Sequence, residues 1–321
     1  MDRICRICHN ASGNTPYTVR EMLFGTRDEF GYFQCAQCGC LQIAEIPANL
    51  GDYYPPGYFS FRDFRRLSAS PLRGFFDRQR VRYELTGRGA VGRIAAFLAK
   101  PLDYVRWVKK CGASERARVL DVGCGSGKLL LRMRLGGFTH CTGMDAFVPH
   151  DIIYPNGVRV LKRDIRTADD TAGAFDLIMF HHSFEHVDDP HAVMRCAARL
   201  LAERGCLLIR IPVADSVAWE LYRENWAHLD APRHLYLHTR KSMELLAAAA
   251  GLAVADVEHD STPSQFIASE LYIRDIPAVA PRNRKRIFSR ARVKEFAARA
   301  ALLNRQGRGD LAVFYLTRSS P

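Results

Sequence analysis

Two cysteine pairs, a turn holding three glycines and a short run dense in histidine carry most of the chemistry open to this 321-residue chain. Cys5-x-x-Cys8 and Cys35-x-x-Cys38 flank a stretch long enough for a β-hairpin through 17–19 and 32–34. Each Cys-x-x-Cys is a tight knuckle that presents two thiolates to one tetrahedral ion, so Cys5, Cys8, Cys35 and Cys38 are the expected ligands of a structural zinc. Cys40 and His9 are spare donors nearby, and two independent thiol pairs are the alternative. An ion held by four thiolates keeps no open position for catalysis.

Asp121 stands just before Gly123, Gly125 and Gly127. Glycines so spaced let the backbone pass close to a ligand without obstruction by a Cβ. Lys128 occupies the place where a Gly-x-Gly-x-x-Gly dinucleotide motif would put its last glycine, so the turn departs from that fingerprint. Asp145 and Asp164 are further carboxylates that could accept hydrogen bonds from a ligand or, alternatively, cap a helix. The run His181-His-Ser-Phe-Glu-His-Val-Asp-Asp-Pro190 gathers His182, Glu185 and His186. Modest shifts bring such groups near neutrality, which suits them to proton removal. His182 and His186 also fall at i,i+4 beside Glu185, a metal-ligand spacing that lacks a placed third partner. Asp230-Ala-Pro-Arg-His234 supplies Arg233, suited to a phosphate or carboxylate, and His234, a second candidate base; an Asp230–Arg233 salt bridge is the structural alternative.

These groups need a frame, and the apolar patterning provides one. Strands are expected at 118–122, 139–144, 158–162, 175–180, 206–211, 253–258 and 311–317, with helices over 127–136, 189–203 and 240–250. The fold class is α/β: a Rossmann-like, mostly parallel seven-stranded sheet with helices on both faces. Such a sheet presents ligand sites at the carboxyl ends of its strands, where the acids and glycines fall. An insertion rich in aromatics is expected at about 212–238, within a main domain spanning 116–321. Ahead of it lie a small zinc-ribbon-like module over 1–50 and a segment over 51–115. The latter opens with an aromatic loop (Tyr53, Tyr54, Tyr58, Phe59), either a lid or a pin between modules. It continues as basic helix, with Ile94, Phe97, Leu98, Leu102 and Val105 at helical spacing.

The strand and turn through Val119-Leu-Asp-Val-Gly-Cys-Gly-Ser-Gly-Lys128 resemble motif I of class I S-adenosylmethionine-dependent methyltransferases. In that family the turn curls beneath the methionine part of the cofactor. Asp145 matches the family's acid at the ribose hydroxyls, and Asp164 its acid near the adenine amine. The resemblance thus implies cofactor contacts from Asp121, Gly123, Gly125, Gly127, Asp145, Asp164 and His181. The 181–190 run resembles the "LEHVxDP" signature after strand 4, whose residues lie near the transferable methyl, and makes His182, Glu185 and His186 catalytic candidates, with His234 of the insertion a further candidate base. Cysteine pairs followed by a Tyr-Tyr-Pro segment and an Asp-x-Pro-Arg-His string resemble a subgroup associated with sugar and polysaccharide biosynthesis. The likeness covers roughly residues 116 to 260. It implies methylation of an oxygen or carbon on a small, anionic acceptor such as a nucleotide-linked sugar or glycan intermediate. The alternative is an RNA methyltransferase whose zinc module and basic segment hold nucleic acid.

Composition sets the outer bounds. With 48% apolar residues the chain can bury one large core and a small accessory module. No apolar run approaches the roughly 18 residues of a membrane span, and the N-terminus lacks a signal-peptide pattern. A cytoplasmic protein is expected. Its ten cysteines then read as thiols or metal ligands, with Cys111, Cys124, Cys141, Cys196 and Cys206 packing as small hydrophobes. The net charge of +12 is concentrated in 62–118, which holds fifteen Lys and Arg against five acids, a balance suited to an anionic partner or a solvated helical face. Oligomeric state leaves no mark in the sequence.

Overall fold

The computed structural model describes residues 3–55, 71–99, 102–168, 173–279 and 287–319. Tyr58 and Phe59 of the aromatic loop lie outside these residues. The main sheet is built from β4 (Arg118–Val122), β5 (His140–Met144), β7 (Arg159–Leu161), β8 (Phe175–His181), β9 (Leu201–Pro212), β11 (Leu252–His259) and β12 (Leu311–Arg318). An eighth strand, β6 (Ile152–Ile153), completes the order β11-β12-β9-β8-β4-β5-β7-β6. Strands β9, β8, β4, β5 and β7 run parallel, while β12 lies antiparallel on β9 and β11 antiparallel on β12. All seven expected strands are present. β6, too short to leave a periodic signal, is an added antiparallel edge.

The parallel strands form because both faces are covered, which demands runs of apolar residues. Leu177, Ile178, Met179 and Phe180 of β8 are all fully buried. α4 (Lys128–Leu135) follows β4, and α5 (Pro190–Leu200) follows β8, capped where the Asp189 side chain accepts the Ala192 amide. β9 begins at Leu201, five residues earlier than the sequence suggests. Its first residue pairs with Phe175 before a register shift resumes the ladder at Cys206. Two helices between β11 and β12, α8 (Ser264–Ile273) and α9 (Arg290–Arg305), were not anticipated; they bury Phe266 and Phe296.

The basic segment folds as α1 (Pro71–Thr86), α2 (Ala90–Leu98) and α3 (Asp103–Lys110). α3 buries Tyr104, Val105, Trp107 and Val108 against the sheet. The helical spacing of Ile94 and Phe97 is present in α2, but these side chains stay outside the core, Phe97 89% exposed and Ile94 59%. The cause is Gly92, where a Cβ would stand 2.1 Å from the Gln79 carbonyl oxygen. α2 therefore meets α1 through its backbone and turns its larger side chains outward. Cys111, at the end of α3, is joined to Cys206 of β9 in a disulfide, so these two are not the free thiols expected. The reason is packing: α3 and β9 share one core cluster, which brings their Cα atoms to 5.5 Å.

At the N-terminus β1 (Thr15–Arg20), β2 (Glu29–Gln34) and β3 (Leu41–Ile43) form an antiparallel meander. Its fourth strand comes from the far end of the insertion: β10 (Tyr236–Leu237) pairs with β3. The insertion itself opens with α6 (Val217–Tyr222) and is followed by α7 (Arg240–Ala249). Among the described residues no helix is long and apolar enough to cross a membrane.

Candidate active site and cysteine cluster

The carboxyl ends of β4, β5 and β8 meet at the glycine turn. Gly123, Gly125 and Gly127 all hold positive φ, at 69°, 54° and 76°. A Cβ on Gly123 would stand 2.4 Å from Ser183 Cβ, and one on Gly127 2.8 Å from Val160 Cγ2. The turn therefore requires glycine for conformation and for closeness to its neighbours. Ser183 Oγ donates to the Val122 carbonyl at 2.6 Å, tying the end of β8 to the end of β4.

Three acids surround this turn in different states. Asp121 is buried, and its Oδ1 has no hydrogen-bond partner among the described residues. Burial, with Asp145 nearby, pushes its pKa up to about 8. Asp145 accepts the Gly125 amide at 2.8 Å and the Phe147 amide at 2.9 Å, so its carboxylate braces the turn. Asp164 caps a short 3₁₀ turn through the Arg166 amide at 2.8 Å and pairs with the Arg166 guanidinium at 2.7 Å. That hydrogen bonding lowers its pKa. The capping alternative thus describes Asp164 as it stands here. His181, the last residue of β8, packs its ring 4.8 Å from Trp107, and its buried Nε2 has no hydrogen-bond partner among the described residues. Burial and the nearby Arg210 hold its pKa well below the usual value.

The segment after β8 makes one 3₁₀ turn over Phe184–His186, anchored by the fully buried Phe184. Glu185 is also fully buried, its backbone carbonyl accepting the Leu235 amide at 2.8 Å. This bond brings the insertion over the turn and places His234 beside Glu185, with Nε2 3.9 Å from Oε1. One donor atom from each of Glu185, His186 and His234 lies within 4.8 Å of the other two. His182 stands at the rim with a positive φ of 53°. Arg210 donates to its Nε2, leaving Nδ1 3.6 Å from Glu185 Oε1. Burial opposes charge on Glu185, but the approach of His182 and the fields of His186 and His234 hold its pKa down to about 2. Burial, with His186 beside it, pushes His234 down to about 4, so that imidazole is neutral at neutral pH.

The four catalytic candidates therefore converge, although the insertion that carries His234 is remote in sequence. Arg233 does not take the anion-holding place suggested for it. Its guanidinium is buried and engaged by Glu21 at 2.7 Å, Asp230 at 2.6 Å and the Tyr53 carbonyl at 3.1 Å. Of the aromatic loop, Tyr53 is pinned to Asp28 at 2.9 Å, whereas the Tyr54 hydroxyl reaches within 3.3 Å of His186 Nδ1.

Several supporting residues had no local signal. His234 Nδ1 donates to the His228 carbonyl at 2.7 Å, and His228 pairs with the buried Asp310 at 2.7 Å. Asp310 also takes the Trp226 indole N–H at 2.9 Å. Tyr32 donates to the His234 carbonyl at 2.8 Å. These partners come from the hairpin, the insertion and the start of β12, so only the folded chain assembles them.

The N-terminal module gathers Cys5, Cys8, Cys35 and Cys38, whose sulfurs all lie within 4.8 Å of one another. Each knuckle closes with a backbone bond, His9 to Cys5 and Gly39 to Cys35, both at 2.9 Å, and His9 and Gly39 both hold positive φ. The Ile7 amide and the Gln42 side chain point N–H groups at Cys5 Sγ, at 3.4 and 3.1 Å. Cys40 lies outside the group and faces His238, and His9 stacks near His191.

Comparison with known proteins follows the same lines. A family described as a methyltransferase domain matches residues 94–257. A ubiquinone biosynthesis O-methyltransferase of Bordetella avium (strain 197N) is 32% identical over 170 residues, covering 47% of this chain and 69% of that protein. A protein of the same name from Xanthomonas oryzae pv. oryzae (strain PXO99A) is 33% identical over 144 residues, covering 37% of this chain and 56% of its own length. The chain thus spans little more than half of that second relative. Among solved structures, an S-adenosylmethionine dependent methyltransferase from Mesorhizobium loti matches with a TM-score of 0.43 and 14% identity, over 68% of this chain and 98% of that one.

Proposed function

We propose, for a chain that belongs to the methyltransferase-domain family and is an S-adenosylmethionine-dependent methyltransferase, that its acceptor is a hydroxyl oxygen on a small molecule. The cofactor, when bound, supplies a sulfonium carrying an electrophilic methyl group. The residues present fit such a ligand. The three glycines leave the backbone of the turn bare, and the buried Asp121 Oδ1, without a partner among the described residues, could take a ligand N–H. Asp145 and Asp164, now occupied by local partners, would exchange them for the ribose hydroxyls and the adenine amine.

The observation that carries the acceptor reading is the meeting of Glu185, His186 and His234 at the end of β8. A hydroxyl acceptor must lose its proton as its oxygen attacks. With the cofactor bound, its methyl group would pass to that oxygen as the C–S bond breaks onto sulfur. His234, neutral and backed by His228 and Asp310, is suited to hold that proton. His182 closes the rim, and Tyr54 covers His186 from the loop ahead of the main domain. The printed name of the two curated relatives, an O-methyltransferase, agrees with an oxygen acceptor. A sugar ring or another ring bearing hydroxyls fits this chemistry. We further propose that Cys5, Cys8, Cys35 and Cys38 hold a structural zinc, on the support of their four-sulfur grouping.

Calorimetry with S-adenosylhomocysteine on the wild type and Asp145→Ala tests the cofactor site. Loss of at least tenfold in affinity is expected, and equal binding by both would refute it. Mass-spectrometric detection of O-methyl products across sugar and phenol acceptors tests the acceptor class, and methylation confined to nitrogen or carbon would overturn it.

A further inference from the structure

We propose that Glu185, His186 and His234 form a second metal site, for a divalent first-row transition cation, distinct from the four-cysteine group. The inference rests on the oxygen-acceptor reading and changes the part of His234 in it: with an ion bound, its Nε2 is a ligand, and the acceptor hydroxyl would lose its proton through the ion's lowering of its pKa and not to that imidazole. One ligand atom from each of the three lies within 4.8 Å of the others, close enough to share an ion after small side-chain movements.

The hydrogen bonds around the imidazoles set their tautomers. His186 Nδ1 donates to the Arg233 carbonyl and His234 Nδ1 to the His228 carbonyl, each at 2.7 Å. A carbonyl only accepts, so both Nδ1 atoms carry protons and both Nε2 atoms keep free lone pairs. Fixing a ligand histidine through a carbonyl on its other nitrogen is the usual support behind a metal. The carboxylate is the third partner. Glu185 is fully buried, and neither oxygen accepts a hydrogen bond among the described residues. Burying an unsatisfied carboxylate is costly, and a cation would remove that cost.

His182 does not complete the set, although its i,i+4 relation to His186 invites that reading. Arg210 donates to its Nε2, so the proton sits on Nδ1, facing Glu185. With its proton turned toward the carboxylate at 3.6 Å, too far for a hydrogen bond, it offers no lone pair there and is not a ligand. Two nitrogens and one carboxylate leave coordination positions open, in contrast with the closed cysteine group. A cation there would take an acceptor hydroxyl oxygen and lower its pKa, which favours oxygen acceptors, above all neighbouring hydroxyls that chelate.

The test uses the full chain with its zinc content measured first. Mn²⁺ is titrated while free Mn²⁺ is followed by electron paramagnetic resonance, and S-adenosylhomocysteine binding is measured separately by calorimetry. One Mn²⁺ per chain is expected, with affinity falling tenfold or more in Glu185→Gln and in His186→Gln. Unchanged zinc content and melting temperature show that each variant is folded, and Glu185→Gln, which removes a buried charge, should fold. Equal Mn²⁺ binding by wild type and Glu185→Gln, or none at millimolar Mn²⁺, overturns the metal site. If S-adenosylhomocysteine still binds in that case, the methyltransferase reading stands without it; if it does not, both fail.

Discussion

Arg233 Nη2 donates to Glu21 Oε1 at 2.7 Å, joining the N-terminal hairpin to the loop that delivers His234. Both side chains are almost wholly buried, and Glu21 also accepts the amides of Phe24, Gly25 and Thr26. Breaking such a pair from one side strands a charge in the interior. Arg233→Met is expected to destabilise the protein by about 3–5 kcal/mol in chemical denaturation. The double variant Glu21→Gln with Arg233→Met should recover part of that loss, and additive losses would deny the coupling.

Asp121 gives the ligand-free protein a pH dependence of defined sign. Its folded-state pKa, about 8, lies above the ordinary 3.8, so the folded chain holds the proton more tightly than the unfolded one. The resulting stability is complete below about pH 3.8 and is lost as pH rises through about 8. Asp121→Asn should remove this component. Its melting temperature relative to the wild type is expected to rise by several °C between pH 5 and pH 9. A wild type and variant that fall in parallel between these values would contradict the assignment.

Gly127 and Gly157 separate two costs of a side chain. Both hold positive φ, but a Cβ on Gly157 meets nothing within 4 Å, whereas one on Gly127 presses on Val160. Gly157→Ala should lose about 1–2 kcal/mol from backbone strain alone. Gly127→Ala should lose more, and its affinity for S-adenosylhomocysteine should fall at least tenfold by calorimetry. Equal stability and binding in the two variants would remove the turn from the cofactor site.

For the cysteine group, Cys38→Ser is expected to take zinc content from one per chain to near zero by elemental analysis. The effect should spread, because Thr239 Oγ1 donates to the Cys38 carbonyl at 2.6 Å and Lys241 to that of Gln37. Amide exchange in 236–239 should therefore quicken along with that in 35–40. Zinc retained at full occupancy would refute the ligand set.

The sheet was legible because parallel strands covered on both faces read as apolar runs, as Leu177 to Phe180 do. The turn was legible because three glycines so close together serve few other ends. His234 could be nominated from its local string, but not its meeting with Glu185, which depends on the Leu235–Glu185 backbone bond. Glu21, His228 and Asp310 were invisible for the same reason, since a buried ion pair between distant residues imposes no local period. The spacing of Ile94, Phe97 and Leu98 gave the helix but not its environment, because one small residue, Gly92, sets which face meets α1. Arg233 shows the converse: a cation beside an expected pocket was already balanced by carboxylates from two directions.

The pairing of β10 with β3 makes the first fifty residues and the insertion a single heritable unit. A chimera that transplants the cysteine module alone would leave β3 with an open edge and Arg233 without Glu21. Grafting the insertion alone would leave β10 without its partner strand. Acceptor preference in engineered hybrids should therefore travel only when both segments are exchanged together, however far apart they stand in the gene.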